Sequence, residues 1–275
     1  MRTQLLRSAG LAVLLMLCVG CTSPRLPWAA AGSAVGERAV LLVPVPQAPS
    51  WHDFAFLAAV PAATRANAGK PAVIALEATE EIPREIADYL EPYKPRTVYT
   101  VGFEAAHDAP KGAQWRALDA ASADGAAHAL AGTFWQACPT VVVCRDDDYS
   151  AGLVASALAA RLRSPLLFST DRGMSGGASA ALRRLGPSHG IVVGAAPEAL
   201  AALKKQGLAV TALADAKSVL AWMHKQKLGA AYVAATNPRD RSATVTRKLS
   251  LTAPLLAAAR EGAVVPLDYE TLWKA

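Results

Sequence analysis

The stretch "YKPRTVYTVG" (Tyr93–Gly102) passes from a proline-marked turn into alternating β-branched and aromatic residues and stops on a glycine. Later in the chain "GPSHGIVVG" (Gly186–Gly194) does the same. Each stretch closes a longer pattern. Before the first come "AVLLVPV" (Ala39–Val45), a turn at "PQAPSWHD", the helical "FAFLAAVPAATRANAG" (Phe54–Gly69), the strand-like "KPAVIAL" behind Pro71, and the short helix "IPREIADYLEPY" with Pro83 in its first turn. Before the second come "TVVVC" (Thr140–Cys144), the turn "RDDDY", the helix "SAGLVASALAARLRS" (Ser150–Ser164), the strand "PLLFST" and the helix "SAALRRLG". The order is β, α, β, α, β in both. Continuous apolar strands separated by helices imply parallel sheets covered on both faces, because joining parallel neighbours requires a long crossover. The glycine lets the chain leave the sheet where a side chain would obstruct it.

The second pass continues through the helix "PEALAALKKQG" and the strand "LAVTALAD", and "AKSVLAWMHKQK" bridges onward. A third pass opens with "AAYVAAT" (Ala230–Thr236), crosses the loop "NPRDRSATVTR", and gives the helix "LSLTAPLLAAAREG" and the strand "AVVPL" before "YETLWKA" (Tyr269–Ala275). Either this third unit is naturally incomplete or the chain is the front of a longer protein. The expected fold is α/β: tandem repeated three-layer units, parallel sheets flanked by helices, with a pseudo-threefold arrangement as an option. The expected boundaries are a signal segment over 1–21, a linker over 22–38, and units over 39–138, 139–228 and 229–275.

The amino terminus reads as a targeting segment. Arg2 and Arg7 precede the apolar run "AGLAVLLML" (Ala9–Leu17), which is too short to span a bilayer comfortably. Gly20 before Cys21 resembles the bacterial lipobox, in which the cysteine is lipidated; an ordinary secretory signal is the alternative. A lipid on Cys21 would hold the protein on a membrane while the rest stays soluble. The 275 residues are 53% hydrophobic but only 6% aromatic, which suits helices packed on sheets better than a stacking surface for bases, so nucleic acid is not expected as a partner. Lys and Arg number 28 against 22 Asp and Glu, and two of the arginines precede Cys21, leaving a mild positive bias.

Cys138 and Cys144 flank "PTVVV". A strand between them would set their α-carbons about 20 Å apart, beyond the limit of about 7 Å for a disulfide. They are expected to be separate buried thiols.

Together, "YSAGLVASALAARLRSPLLFSTDRGMSGGASAALRRLGPSHGIVVGAAPEALAALKKQG" and, earlier, "DFAFLAAVPAATRANAGKPAVIAL" with "YLEPYKPRTVYTVG" resemble units of the bacterial cell wall-binding repeat type 2. They share an Asp-aromatic turn, an alanine-rich helix, a proline-led strand and a strand closing on glycine. The resemblance implies units packed about a pseudo-threefold axis that hold surface proteins noncovalently on anionic wall polymers. Asp53 and Asp148 match the first acidic residue of the family's helices, while Ala55 and Ala151 stand in place of the second. The family's double glycine is single here, with Phe103 and Ala195 following.

Three loops carry the candidate ligand-binding residues. Trp51, His52 and Asp53 offer an aromatic face beside hydrogen-bonding groups, suited to carbohydrate, although such an aromatic also folds back on a core. Asp146, Asp147 and Asp148 lie past a strand's C-terminal end, where ligands collect in parallel sheets; carboxylates there also serve as helix caps. Asn237, Arg239, Asp240 and Arg241 complete the set, the arginine fork being suited to phosphate or carboxylate. "GMSGG" (Gly173–Gly177) has the letters of a hydrolase nucleophile elbow, but Ser175 does not follow its strand directly, and a helix cap is the expected role. Only Asp215 with His224 would complete the order Ser, acid, His. No GxxxxGK[ST] or HExxH occurs, and no catalytic residue, metal or cofactor is expected. The sequence reads as a noncatalytic envelope lipoprotein that binds an anionic wall polysaccharide or acts as a scaffold. A periplasmic solute-binding lipoprotein or a secreted hydrolase are the alternatives.

Overall fold

The computed structural model describes residues 38–44, 50–66, 73–76, 82, 84–104, 112–241 and 249–267. The signal-type segment with Cys21, residues 22–37 of the linker, Pro71 and Pro83 lie outside the described residues. The fold is α/β, with parallel sheets flanked by helices. The first sheet is built by β1 (Ala39–Val43), β2 (Val73–Leu76), β3 (Thr97–Val101) and β4 (Gln114–Leu118), in the order β2-β1-β3-β4, all parallel. Its helices are α1 (Trp51–Ala66), α2 (Arg84–Tyr93) and α3 (Ala123–Phe134). The second sheet comprises β5 (Thr140–Arg145), β6 (Leu166–Thr170), β7 (Gly173–Met174), β8 (His189–Val193) and β9 (Ala209–Leu213). Its order is β7-β6-β5-β8-β9, parallel except for the hairpin between β6 and β7. Helices α4 (Tyr149–Leu162), α5 (Gly176–Leu185), α6 (Pro197–Lys205) and α7 (Ala216–Lys225) belong to it. Last come β10 (Val233–Thr236), 3-10 turns at Pro238–Arg241 and Leu249–Leu251, α8 (Thr252–Ala259) and β11 (Ala263–Pro266), β10 and β11 pairing in parallel.

The two larger sheets share a strand order: the first strand lies in the middle, with the second on one side and the third and fourth on the other. The glycines that end the third strands behave alike. Gly102 and Gly194 have φ of 78° and 85°, and each amide donates to the fourth strand, to Leu118 O and Leu213 O, both at 2.9 Å. The sequence gives no strand or helix across 104–138, yet β4 and α3 stand there. The short hairpin strand β7 is likewise unannounced.

The helices that follow the first strands, α1, α4 and α8, pack against one another in all three pairings. All are apolar around most of their circumference, as helices enclosed by other elements must be. Phe54 near the start of α1 lies edge-on to Tyr149 at the start of α4, with ring centroids 6.3 Å apart, and Tyr149 Oη lies 2.8 Å from Ser250 Oγ just before α8. At the opposite ends, Arg161 of α4 reaches Glu261 after α8 at 2.8 Å. The three helices therefore run in the same direction. Pro61, inside α1, has no N–H to give to Leu57 O, and an interior proline costs about 3 kcal/mol. Ser156 Oγ of α4 donates to that carbonyl at 2.6 Å, so the break in one helix becomes a tie to the next. Pro254 instead lies in the first turn of α8, where no intrahelical bond is lost.

Helix α3 joins the first sheet to the second. Asp124 in its first turn accepts from the Gly177 and Ala178 amides at 2.9 Å each and from Ser175 Oγ, so its carboxylate closes the N-terminus of α5. Cys138 and Cys144 are free, buried thiols, as their spacing requires.

Candidate functional site

All three candidate loops follow first strands and open the parallel helices α1, α4 and α8, so they emerge at one end of the molecule. Trp51 is half-buried and stacked on His52, with centroids 3.9 Å apart and planes at 28°. Its ring lies over Gly102, where a β-carbon would come within 2.6 Å of it. It therefore folds back on its own sheet. His52 Nδ1 lies 3.1 Å from Ser50 Oγ. Asp53 is fully buried and accepts from the Ser50 amide at 3.4 Å, the reach-back half of a capping box, while the Ser50 backbone carbonyl accepts the Asp53 amide at 3.2 Å, closing the first turn of α1.

In the second loop, Asp148 caps α4 by accepting from the Ala151 amide at 2.9 Å. Asp147 takes both the Nε (2.7 Å) and an Nη of Arg145. That fork holds the Asp147 carboxyl below the ordinary carboxylate range, while burial and then the Asp147 charge push Asp146 up. Asp171 and Glu198 also face Arg145. This part of the strand C-terminal end is acidic, a poor surface for a polyanion.

In the third loop, Asn237 Oδ1 accepts from the Arg239 amide at 3.0 Å, shaping the 3-10 turn that contains Asp240 and ends at Arg241. The Arg241 side chain lies outside the described residues. This turn packs against α4.

Three cavities lie along these elements. One of about 460 Å³ is lined by Asp148, Ser150, Gly194, Asp215, Lys217 and Pro266, among others. A second, of about 280 Å³, takes in Asn237 and Asp240, and a third, of about 290 Å³, lies on Gly102, Phe103, Leu118 and Asp119. None of the three brings all three loops together. Asp215 and Lys217 give the first of these its carboxylate and cation beside Asp148; the sequence offers Asp215 only as an acid for Ser175 and His224, and nothing local joins it to Asp148. Asp215 caps α7, and hydrogen bonds from the Ser218 amide and hydroxyl lower its pKa.

Ser175 Oγ donates to Asp124 and accepts from the Ala178 amide at 3.2 Å; a carboxylate and an amide hold it rather than a histidine. His128, on the same helix as Asp124, is instead 3.0 Å from Gly177 O. Among the described residues no group of His, Cys, Asp or Glu is arranged to hold a metal, and no helix is long and apolar enough to cross a membrane.

The opposite end of the molecule, where helices finish and strands begin, is basic. Arg38 and Arg96 stand directly before β1 and β3, and Lys94 directly follows α2. Arg183 and Arg184 finish α5, Lys204 and Lys205 finish α6, and Lys225 finishes α7 with Lys227 just beyond. Nothing in the candidate loops pointed there.

The fold is similar to those of two clostridial proteins. Cwp8 from Clostridium difficile superposes with a TM-score of 0.64 at 19% identity, over 87% of this chain and 42% of that one. Cwp6 from Clostridium difficile gives 0.64 at 13%, over 85% of this chain and 38% of that one. This chain thus spans about two fifths of the length of each. No family model matches, and no curated protein does. At such identities the likeness is one of fold.

Proposed function

We propose that the chain is a noncatalytic module of the bacterial cell envelope, exported and lipid-anchored through Cys21, that binds an anionic wall polymer. In this reading it consists of tandem units over 39–138, 139–228 and 229–275, of the cell wall-binding repeat kind, gathered about the trio α1, α4 and α8. One observation carries the reading: the parallel strands send the helices between them back in one direction, gathering helix C-termini and their basic residues at one end. The likeness to Cwp6 and Cwp8, cell wall proteins, supports an envelope setting. Asp53 and Asp148 act as helix caps, and Asp147 is neutralised by Arg145.

Co-sedimentation of the full chain with purified wall tests this, comparing wall that carries its anionic polymer with wall stripped of it. Saturable binding that needs the polymer and weakens with salt is expected, since the Debye length shrinks from about 30 Å at 0.01 M to about 10 Å at 0.1 M. Equal sedimentation with stripped wall would refute the reading.

A further inference from the structure

Helix C-termini attract cations, so basic residues there are expected on dipole grounds alone. Two features exceed that. Arg38 and Arg96 close no helix; they precede strands, and the Arg96 amide donates to Arg38 O at 3.2 Å where β1 and β3 begin to pair. Further, Arg38, Lys94, Arg163 and Lys227 have left-handed backbones, with φ of 55°, 51°, 53° and 57°. Glycine adopts that conformation without a β-carbon clash, and it is what this chain uses at the ends of α5 and α6, at Gly186 and Gly207. At four other such positions on the same end the chain instead carries a long cation, and all four side chains are exposed; at a fifth, Glu261 (φ 52°), it carries an acid that pairs with Arg161.

This end is also one continuous structure. Arg184 Nη1 donates to Trp135 O at 2.7 Å, Trp135 Nε1 to Arg163 O at 2.8 Å, and Arg161 to Gly229 O at 3.3 Å, linking the ends of α3, α4, α5 and the turn before β10. Among the described residues the acidic ones near it are few: Glu261 is paired with Arg161, and Glu91 lies in the last turn of α2. Of the large apolar side chains exposed among the described residues, Tyr232 and Val233 sit at this end, Leu256 lies in the last turn of α8, and Tyr89 is stacked on Tyr93 in the last turn of α2.

From this we infer that the end formed by the helix C-termini is the docking surface for an extended, hydrated polyanion such as a phosphate- or carboxylate-bearing wall glycan. The four left-handed cations are its outward contacts. The inference rests on the wall-polymer reading and places the contact away from the strand-to-helix loops.

The full chain carrying Lys94→Gly, Arg163→Gly and Lys227→Gly together tests it, because glycine suits the backbone at all three positions while removing the charge. The expected result is an unfolding midpoint no lower than that of the parent and an affinity for purified anionic wall polymer at least about tenfold weaker. A second variant, Lys204→Glu with Lys205→Glu on the exposed end of α6, should weaken binding similarly, so a folding defect in the first would not decide the matter. Polymer binding by the parent that both variants retain would overturn the docking surface and leave the wall reading standing. Failure of the parent to bind polymer at low salt would overturn both. Binding to phosphatidylglycerol vesicles without binding to polymer would replace the glycan with a membrane.

Discussion

Ser156 is a small polar residue buried without exposure in a largely apolar helix, and its hydroxyl serves the carbonyl that Pro61 leaves unbonded. Ser156→Ala should destabilise the chain by about 1–3 kcal/mol, the cost of a buried acceptor left unsatisfied, measured as a lower denaturation midpoint at unchanged slope. No local pattern in the sequence links Ser156 to Leu57, because the bond exists only once α1 and α4 are packed. Gly102 and Gly194 were legible, since a β-run ending on glycine signals a backbone that other residues rarely adopt. What the sequence did not reveal is that Trp51 covers Gly102, and Ala151 and Asp148 cover Gly194. Gly102→Val should therefore destabilise both through its φ and through its contact with the ring, read as a lower midpoint together with altered tryptophan emission. The thiols give a third test. Burial raises the pKa of both Cys138 and Cys144, keeping them protonated. Neither should be alkylated by iodoacetamide at neutral pH in the native state, and both should react once the chain is unfolded.

Among the elements, the junction of α3 with α5 is the most exposed to a single change. One carboxylate, Asp124, serves two backbone amides and a hydroxyl across that junction. Asp124→Ala should cost about 2–3 kcal/mol, and Asp124→Asn less, because the amide keeps one acceptor oxygen; denaturant titration would rank them. Ser175→Ala should matter much less, since Asp124 remains to hold the Ala178 amide. The elements that could be read from the sequence were those with continuous apolar runs, such as β1 and β5, both buried almost throughout. Strand β4 was missed because Gln114, Arg116 and Ala117 are exposed, leaving no apolar run to notice. Helix α3 was missed because glycine, histidine and alanine dilute its stripe, although Ala126, Leu130 and Phe134 are buried one turn apart.

For the molecule as a whole, the class of fold was legible because it follows from the order of strands and helices. The location of the charge was not, since it depends on α2, α4, α5, α6 and α7 ending together once the parallel sheets have formed. The candidate loops were found by chemical type, and the structure uses several of those groups to finish helices. The basic residues at the other end looked like ordinary helix endings one by one, and only their convergence makes them a surface. Hydrogen–deuterium exchange of the full chain, with and without purified anionic wall polymer, separates the two ends directly. Slowed exchange is expected in the helix-to-strand connections near Lys94–Arg96, Arg163 and Lys225–Lys227, with the loops at Trp51–Asp53 and Asp146–Asp148 unchanged. Protection confined to those loops, with the connections unaltered, would contradict it.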